Sequence, residues 1–313
     1  VFTIEISAAQ PFITTEKKSD VLVLKEKSVN LSIFTNSGID NGILRAVKNL
    51  QSDFQKVTGT QPTILNQISG DNTPLIIIGT VGTKSVIDDL IKQKKIDGKA
   101  LTGKNEKFII QNISNPIPGV SEAIVIAGSD KRGTIYGIYE MSQQIGVSPW
   151  YYMADVPVKV KENIYFRKGI YTDGEPTVKY RGIFLNDEDW GLKPWAAKTF
   201  EKERGNIGPR TYAKICELLL RLKANHLAPA MHPVSTAFYK IPENKLVADT
   251  FAIVMGSSHC EPLLLNTASE WDSKTMGPWD YNKNKDKINE VLSNRVKENC
   301  AYENVYTLAL RGL

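Results

Sequence analysis

Cysteine is scarce. Only Cys216, Cys260 and Cys300 occur in 313 residues, too few and too far apart for a disulfide framework or a paired-cysteine zinc site. No apolar run approaches the roughly 20 residues needed to cross a bilayer, so no membrane span is expected. Basic residues number 39 against 34 acidic ones, and they are scattered. Without a basic block, nothing supports nucleic-acid binding. Glycines stand at apparent strand-to-helix turns in Gly79-Thr80-Val81-Gly82-Thr83 and in Gly128–Thr134, but the spacing that brings a lysine onto terminal phosphates is missing. Turn geometry is the expected reason for these glycines. His259-Cys260-Glu261 lacks the His-Glu-x-x-His pattern of a zinc helix, and no cysteine-protease signature surrounds Cys260. No metal or cofactor is expected.

What is present has ordinary soluble composition, 42% hydrophobic and 23% charged, in a length that suits two domains. The chain opens Val1-Phe2-Thr3-Ile4, and Ser7-Ala8-Ala9 puts small residues where a signal peptidase cleaves. Residues 1–9 are therefore expected to be the tail of an export signal, which implies a periplasmic or extracellular protein; a first strand over Val1–Ile6 fits the same residues.

From 10 to about 170, helix and strand signals alternate. Ile43, Leu44, Val47, Leu50, Phe54 and Val57 recur at helical spacing and predict a helix over 41–58 closed by Thr58-Gly59. Leu75–Gly79, Phe108–Ile110 and Ala123–Ala127 read as buried strands. Ser129-Asp130 predicts the start of a helix running to about Gln144 and stopped by Gly146. These elements predict a compact α/β accessory domain.

Asp173-Gly174-Glu175-Pro176 reads as a linker. Beyond it, strand signals at Tyr180–Leu185, His226–Met231, Phe251–Met255 and Val305–Leu310 surround a clear helix at Tyr212–Lys223. Residues 171–313 are thus expected to form the first part of a (β/α)8 TIM-type barrel, truncated after about four strands, with its chemistry at the carboxyl ends of the strands.

The polar groups after those strands are the candidate site. Asn186-Asp187-Glu188-Asp189-Trp190 follows the first. Adjacent carboxylates repel one another, and sugar sites use them as acid, base or hydroxyl acceptor. Trp190 or Trp195 offers a flat face for a pyranose ring. A solvated acidic loop or a helix N-cap would account for the same run. His259 and Glu261 follow the third strand as donor and acceptor, and His232 lies just past the second, whereas His226 reads as structural. Arg311, at the end of the last strand, can meet a sugar carboxylate through its planar fork, or be an exposed surface charge.

Several of these segments, in order, resemble glycoside hydrolase family 115: Gly128–Gly137, Gly146–Pro157, Gly182–Gly191, Glu217–Asn225, Pro229-Ala230-Met231 and Met255–His259. The resemblance implies an inverting xylan α-1,2-glucuronidase that releases (4-O-methyl)-D-glucuronic acid without a metal. Glucuronoxylan or its oligosaccharides would be the partner, and a homodimer is left open for the full-length protein. It also implies site roles for Asn186, Asp187, Glu188, Asp189, His259, Glu261 and Arg311, with Asp187 and Asp189 the catalytic candidates. Ala228 and His232 depart from the family, which tends to carry tryptophan there, as does Cys260, where a second histidine is common. The other catalytic carboxylates of the family lie on later strands, so this stretch alone is expected to be inactive. The alternative is a non-catalytic glycan-binding protein of a polysaccharide-uptake system.

Overall fold

A computed structural model describes residues 11–27, 29, 31–68, 74–186 and 188–308. Residues 1–9, Asp187 and Arg311 therefore lie outside the described residues. The chain forms two compact units that divide between Thr177 and Val178.

Among its described residues the first unit contains nine strands, β1 (Ile13–Thr14), β2 (Val21–Lys25), β3 (Ser32–Thr35), β4 (Thr63–Leu65), β5 (Leu75–Thr80), β6 (Phe108–Ser114), β7 (Glu122–Gly128), β8 (Ile164–Arg167) and β9 (Ile170–Asp173). Its longer helices are α1 (Asn41–Thr58), α2 (Val86–Lys92) and α3 (Lys131–Ile145). The main sheet has the order β4-β3-β5-β7-β6-β9. Its first four strands are parallel, and β6 runs antiparallel to both neighbours. A small antiparallel sheet, β1-β8-β2, meets the main one through Phe12, whose ring lies 5.0 Å from that of Tyr171 on β9.

The sequence signals are realised closely here. Asp40 caps α1 by accepting from the Gly42 and Ile43 N–H groups at 2.7 and 3.3 Å. The helix closes on Gly59 at φ +72°, a left-handed conformation that glycine adopts without a Cβ clash. Val47, Leu50, Phe54 and Val57 are buried as one stripe, each worth about 1.5–3 kcal/mol of burial. On one face of the sheet, Phe34, Ile77 and Val125 pack with Ile87 and Leu90 of α2. On the other, α3 rests over Phe108 and Ile126.

The glycines of 128–137 have a different cause from the expected one. A Cβ on Gly128 would lie 2.2 Å from the Thr134 nitrogen, one on Gly133 2.2 Å from the Lys107 carbonyl oxygen, and one on Gly137 2.8 Å from Ile126. They permit close helix-to-strand approach. Of the other pair, Gly82 does serve a turn, at φ +79° with open space around it, whereas a Cβ on Gly79 would meet Ile87 at 2.8 Å.

In the second unit β10 (Gly182–Phe184), β11 (His226–Ala228) and β12 (Val254–Met255) pair in parallel. Between and after them run α4 (Pro209–Arg221), α5 (Pro242–Thr250) and α6 (Tyr281–Asn299). A Cβ on Gly182 would fall 1.8 Å from the His226 carbonyl oxygen, so the first strand pair requires glycine there.

The strands are shorter than the apolar runs that predict them. Phe251 and Ala252 finish the turn of α5, their N–H groups donating to the Val247 and Asp249 carbonyl oxygens, and Phe251 is buried there without being in a strand. The expected strand over Val305–Leu310 is reduced to a parallel bridge between Asn304 and Met255, and Ala309 and Leu310 lie outside the described residues. The architecture seen is thus mixed α/β with a short parallel sheet; among the described residues no closed barrel is formed.

Candidate active site

Three loops leave the carboxyl ends of β10, β11 and β12, and all the described candidate residues stand on them. The loop after β10 winds into π-helical turns over Glu188–Leu192. This winding separates neighbouring carboxylates. Glu188 is fully buried, and its Oε1 accepts from the backbone N–H groups of Met231 (2.7 Å) and His232 (2.6 Å). It ties the first loop to the second, a role that neither the solvated-loop nor the sugar-contact reading of the acidic run anticipates. Asp189 turns outward, and its Oδ2 lies 2.5 Å from Nδ1 of His232. Both side chains stay about one-third exposed, at 39% and 35%.

His232 is consequently held at both ends, by backbone and by ring. The hydrogen bond to Asp189, followed by the negative charge of Glu188, raises its pKa above the ordinary histidine value. Because the folded pKa is raised, the stabilisation from this pair is complete below the unfolded-state pKa and is lost as pH rises through the folded value. NMR titration of the three histidines is expected to show His232 protonating above pH 6.5, and Asp189→Asn to lower that midpoint. An unchanged midpoint in the variant would remove Asp189 as the cause.

The loop after β12 is built on a second buried carboxylate. Glu261 accepts from the Ser258 N–H at 2.9 Å, and burial pushes its carboxyl above the usual range. Ser257 Oγ donates to the Glu261 carbonyl oxygen (2.9 Å) and lies 3.1 Å from Thr307 Oγ1. Cys260 is buried with its sulfur 2.9 Å from Ser258 Oγ, which is a packing environment.

His259 and Asn186 are exposed, and so is Trp190, at 85%. Among the described residues, none of the three joins the hydrogen-bonded group. Trp195 stacks on Phe200, ring centres 4.8 Å apart. His226 is the first residue of β11, and burial lowers its pKa; a Cβ on Gly256 would fall 2.5 Å from its Nε2.

Three participants have no strand-end signal. Asn266 donates to the Met231 carbonyl oxygen at 2.7 Å, bracing the second loop at the same residue whose N–H Glu188 accepts. Its own N–H donates to Glu270 (2.9 Å), which pairs with Arg295 of α6 at 2.5 Å. Asn266 also caps the short helix Thr267–Glu270, and an asparagine before such a turn is a legible cap signal; the contact with Arg295, 25 residues along the chain from Glu270, is not. Among the described residues no group of histidine, cysteine and carboxylate side chains is arranged to hold a metal, and no helix is long and apolar enough to cross a membrane.

A mixed-sheet α/β unit followed by a parallel β/α unit, with carboxylates and histidines on the carboxyl ends of its strands, has the layout of an α/β enzyme. Residues 173–313 match the model of glycosyl hydrolase family 115. A solved family GH115 4-O-methyl-α-glucuronidase with specificity for decorated arabinogalactans is 38% identical, with a TM-score of 0.80 over 93% of this chain and 36% of that one. On these two findings the chain belongs to glycosyl hydrolase family 115. It spans about a third of the length of that relative.

More distant solved structures share the fold alone. The Flavobacterium johnsoniae chitobiase is 13% identical at a TM-score of 0.50, covering 95% of this chain and 43% of that one. A Streptomyces plicatus β-hexosaminidase is 11% identical at 0.51, covering 89% and 54%. No curated protein matches the chain.

Proposed function

We propose that this chain is part of an inverting glycoside hydrolase that removes (4-O-methyl)-D-glucuronic acid from polysaccharide side chains, and that the rim of β10–β12 is part of its sugar-binding face. The observation that carries the reading is the Asp189–His232 pair, which sits about one-third exposed on that rim. Asp189 has one oxygen on the histidine and the other left to accept from a sugar hydroxyl or a water. His232, raised toward the imidazolium form, offers positive charge to a uronate, and Glu188 and Asn266 hold its loop in place. Trp190 supplies an exposed aromatic face of the kind on which sugar rings stack. In this reading the parallel strands are the beginning of a (β/α)8 barrel, and inversion needs an acid and a base roughly 6.5–9.5 Å apart. Residues 10–170 act as the accessory domain, and export follows from residues 1–9.

The polysaccharide is glucuronoxylan by the sequence resemblance, whereas the relative's name points to decorated arabinogalactans. Incubating the intact protein with each and following the product by NMR tests both points. The expected result is free (4-O-methyl)glucuronic acid appearing first as the β-anomer. Retained binding to either polymer with no sugar released would favour the glycan-binding alternative, and first appearance of the α-anomer would overturn inversion.

A further inference from the structure

The first unit contains a crevice that this reaction does not use. From β3 the chain passes through α1 to β4 on one side, and from β5 it passes through α2 to β6 and β7 on the other. The two loops therefore part above the β3–β5 seam. Such a reversal leaves an opening at the carboxyl ends of the strands, where open α/β sheets take their ligands. Here it is about 380 Å³ in volume, within the range of about 300–1,000 Å³ usual for small-molecule sites.

Its lining is specific in chemistry. Ile43 and Ile78 contribute apolar surface, and Asn36, Asp40, Thr83 and Ser85 supply polar atoms. Asp40 Oδ1 is occupied by the Gly42 and Ile43 N–H groups and by Lys131 Nζ at 3.1 Å, which leaves Oδ2 to accept. Thr83 donates its hydroxyl proton to the Thr80 carbonyl oxygen at 2.8 Å, so its lone pairs can accept from a ligand; Ser85 Oγ donates to the same carbonyl at 3.1 Å and already accepts the Asp88 N–H as a helix cap. Asn36 Oδ1 takes the Val86 N–H at 3.2 Å, which leaves its amide N–H groups to donate.

A ligand here must bring several donors and at least one acceptor. It must also tolerate a carboxylate whose nearby lysine is already engaged. Vicinal hydroxyls meet these demands; a phosphate or carboxylate, which brings acceptors and negative charge, does not. We propose that the crevice at the ends of β3 and β5 binds a neutral sugar, as a free mono- or oligosaccharide or a chain end. The inference is independent of the proposed reaction, because it concerns a different unit and is read by binding alone.

The test uses the intact protein with isotope-labelled isoleucine methyl groups, so that Ile43 and Ile78 report on the crevice itself. Xylotriose is the probe, with glucuronate and inorganic phosphate as anionic controls. Xylotriose is expected to shift both methyl signals, and the anions are expected not to. Thr83→Trp, at an exposed position, should fill the opening and abolish the shifts. Asp40→Asn keeps a good helix cap while removing the charged acceptor, and should weaken binding about tenfold. Unmoved Ile43 and Ile78 signals at millimolar xylotriose would overturn the proposal, as would shifts that survive Thr83→Trp or that phosphate reproduces.

Discussion

In the intact enzyme, Asp189→Ala is expected to lower the release of glucuronic acid at least about 100-fold, the lower end of what a positioned acid or base contributes. Two features of the site support an effect on chemistry and not on folding. The carboxylate is 39% exposed, so its removal leaves no buried cavity and should shift the melting temperature little. It is also the principal cause of the raised His232 pKa, so alanine removes an acceptor and the hydrogen-bond partner of His232 together. The decisive measurement is kcat for both proteins alongside their melting curves. Near-normal turnover would take Asp189 out of the reaction, and lost turnover accompanied by a collapse in melting temperature would assign it to the fold.

A larger structural effect is expected from a residue far from that site. Gly133→Ala places a methyl group 2.2 Å from the Lys107 carbonyl oxygen. The obstacle is backbone, which cannot rotate away as a side chain can. Gly133 also donates its N–H to the Asp130 cap at 2.7 Å, and the other oxygen of Asp130 holds the Glu106 N–H at 2.7 Å. Moving the start of α3 outward would disturb both bonds. Overpacking costs about 1–3 kcal/mol, and a clash with backbone belongs at the upper end, about 3 kcal/mol, which for a unit of this size corresponds to a melting temperature lower by roughly 6–12 °C. Thermal unfolding followed by circular dichroism checks it; an unchanged transition would show that helix and strand separate at no cost.

That glycine marks where sequence reading reaches its limit in the first unit. The α1 stripe, its Gly59 end, the β5 and β7 runs and the Asp130 cap all depend on contacts within a few residues, and each is legible in periodicity and capping chemistry. The clearance between Gly133 and Lys107 depends on two segments brought together across 26 positions. A glycine in a strand-helix connection looks the same whether it serves a turn, as Gly82 does, or a close approach.

The site divides in the same way. The sequence by itself determined that polar residues follow three successive apolar strands, since alternation of strand and helix signals forces loop residues to one end of a parallel sheet. It determined as well the family resemblance carried by those loops. Only the tertiary structure decided what each residue does. Glu188 and Asp189 are adjacent carboxylates with equal claims on chemistry, yet one is fully buried on two backbone N–H groups and the other faces outward on His232. The π-helical winding of Glu188–Leu192 directs them apart, and the loop from β11 supplies a different partner for each. Burial and hydrogen-bond partners are properties of segments distant in the chain, and no local pattern of residue types encodes them.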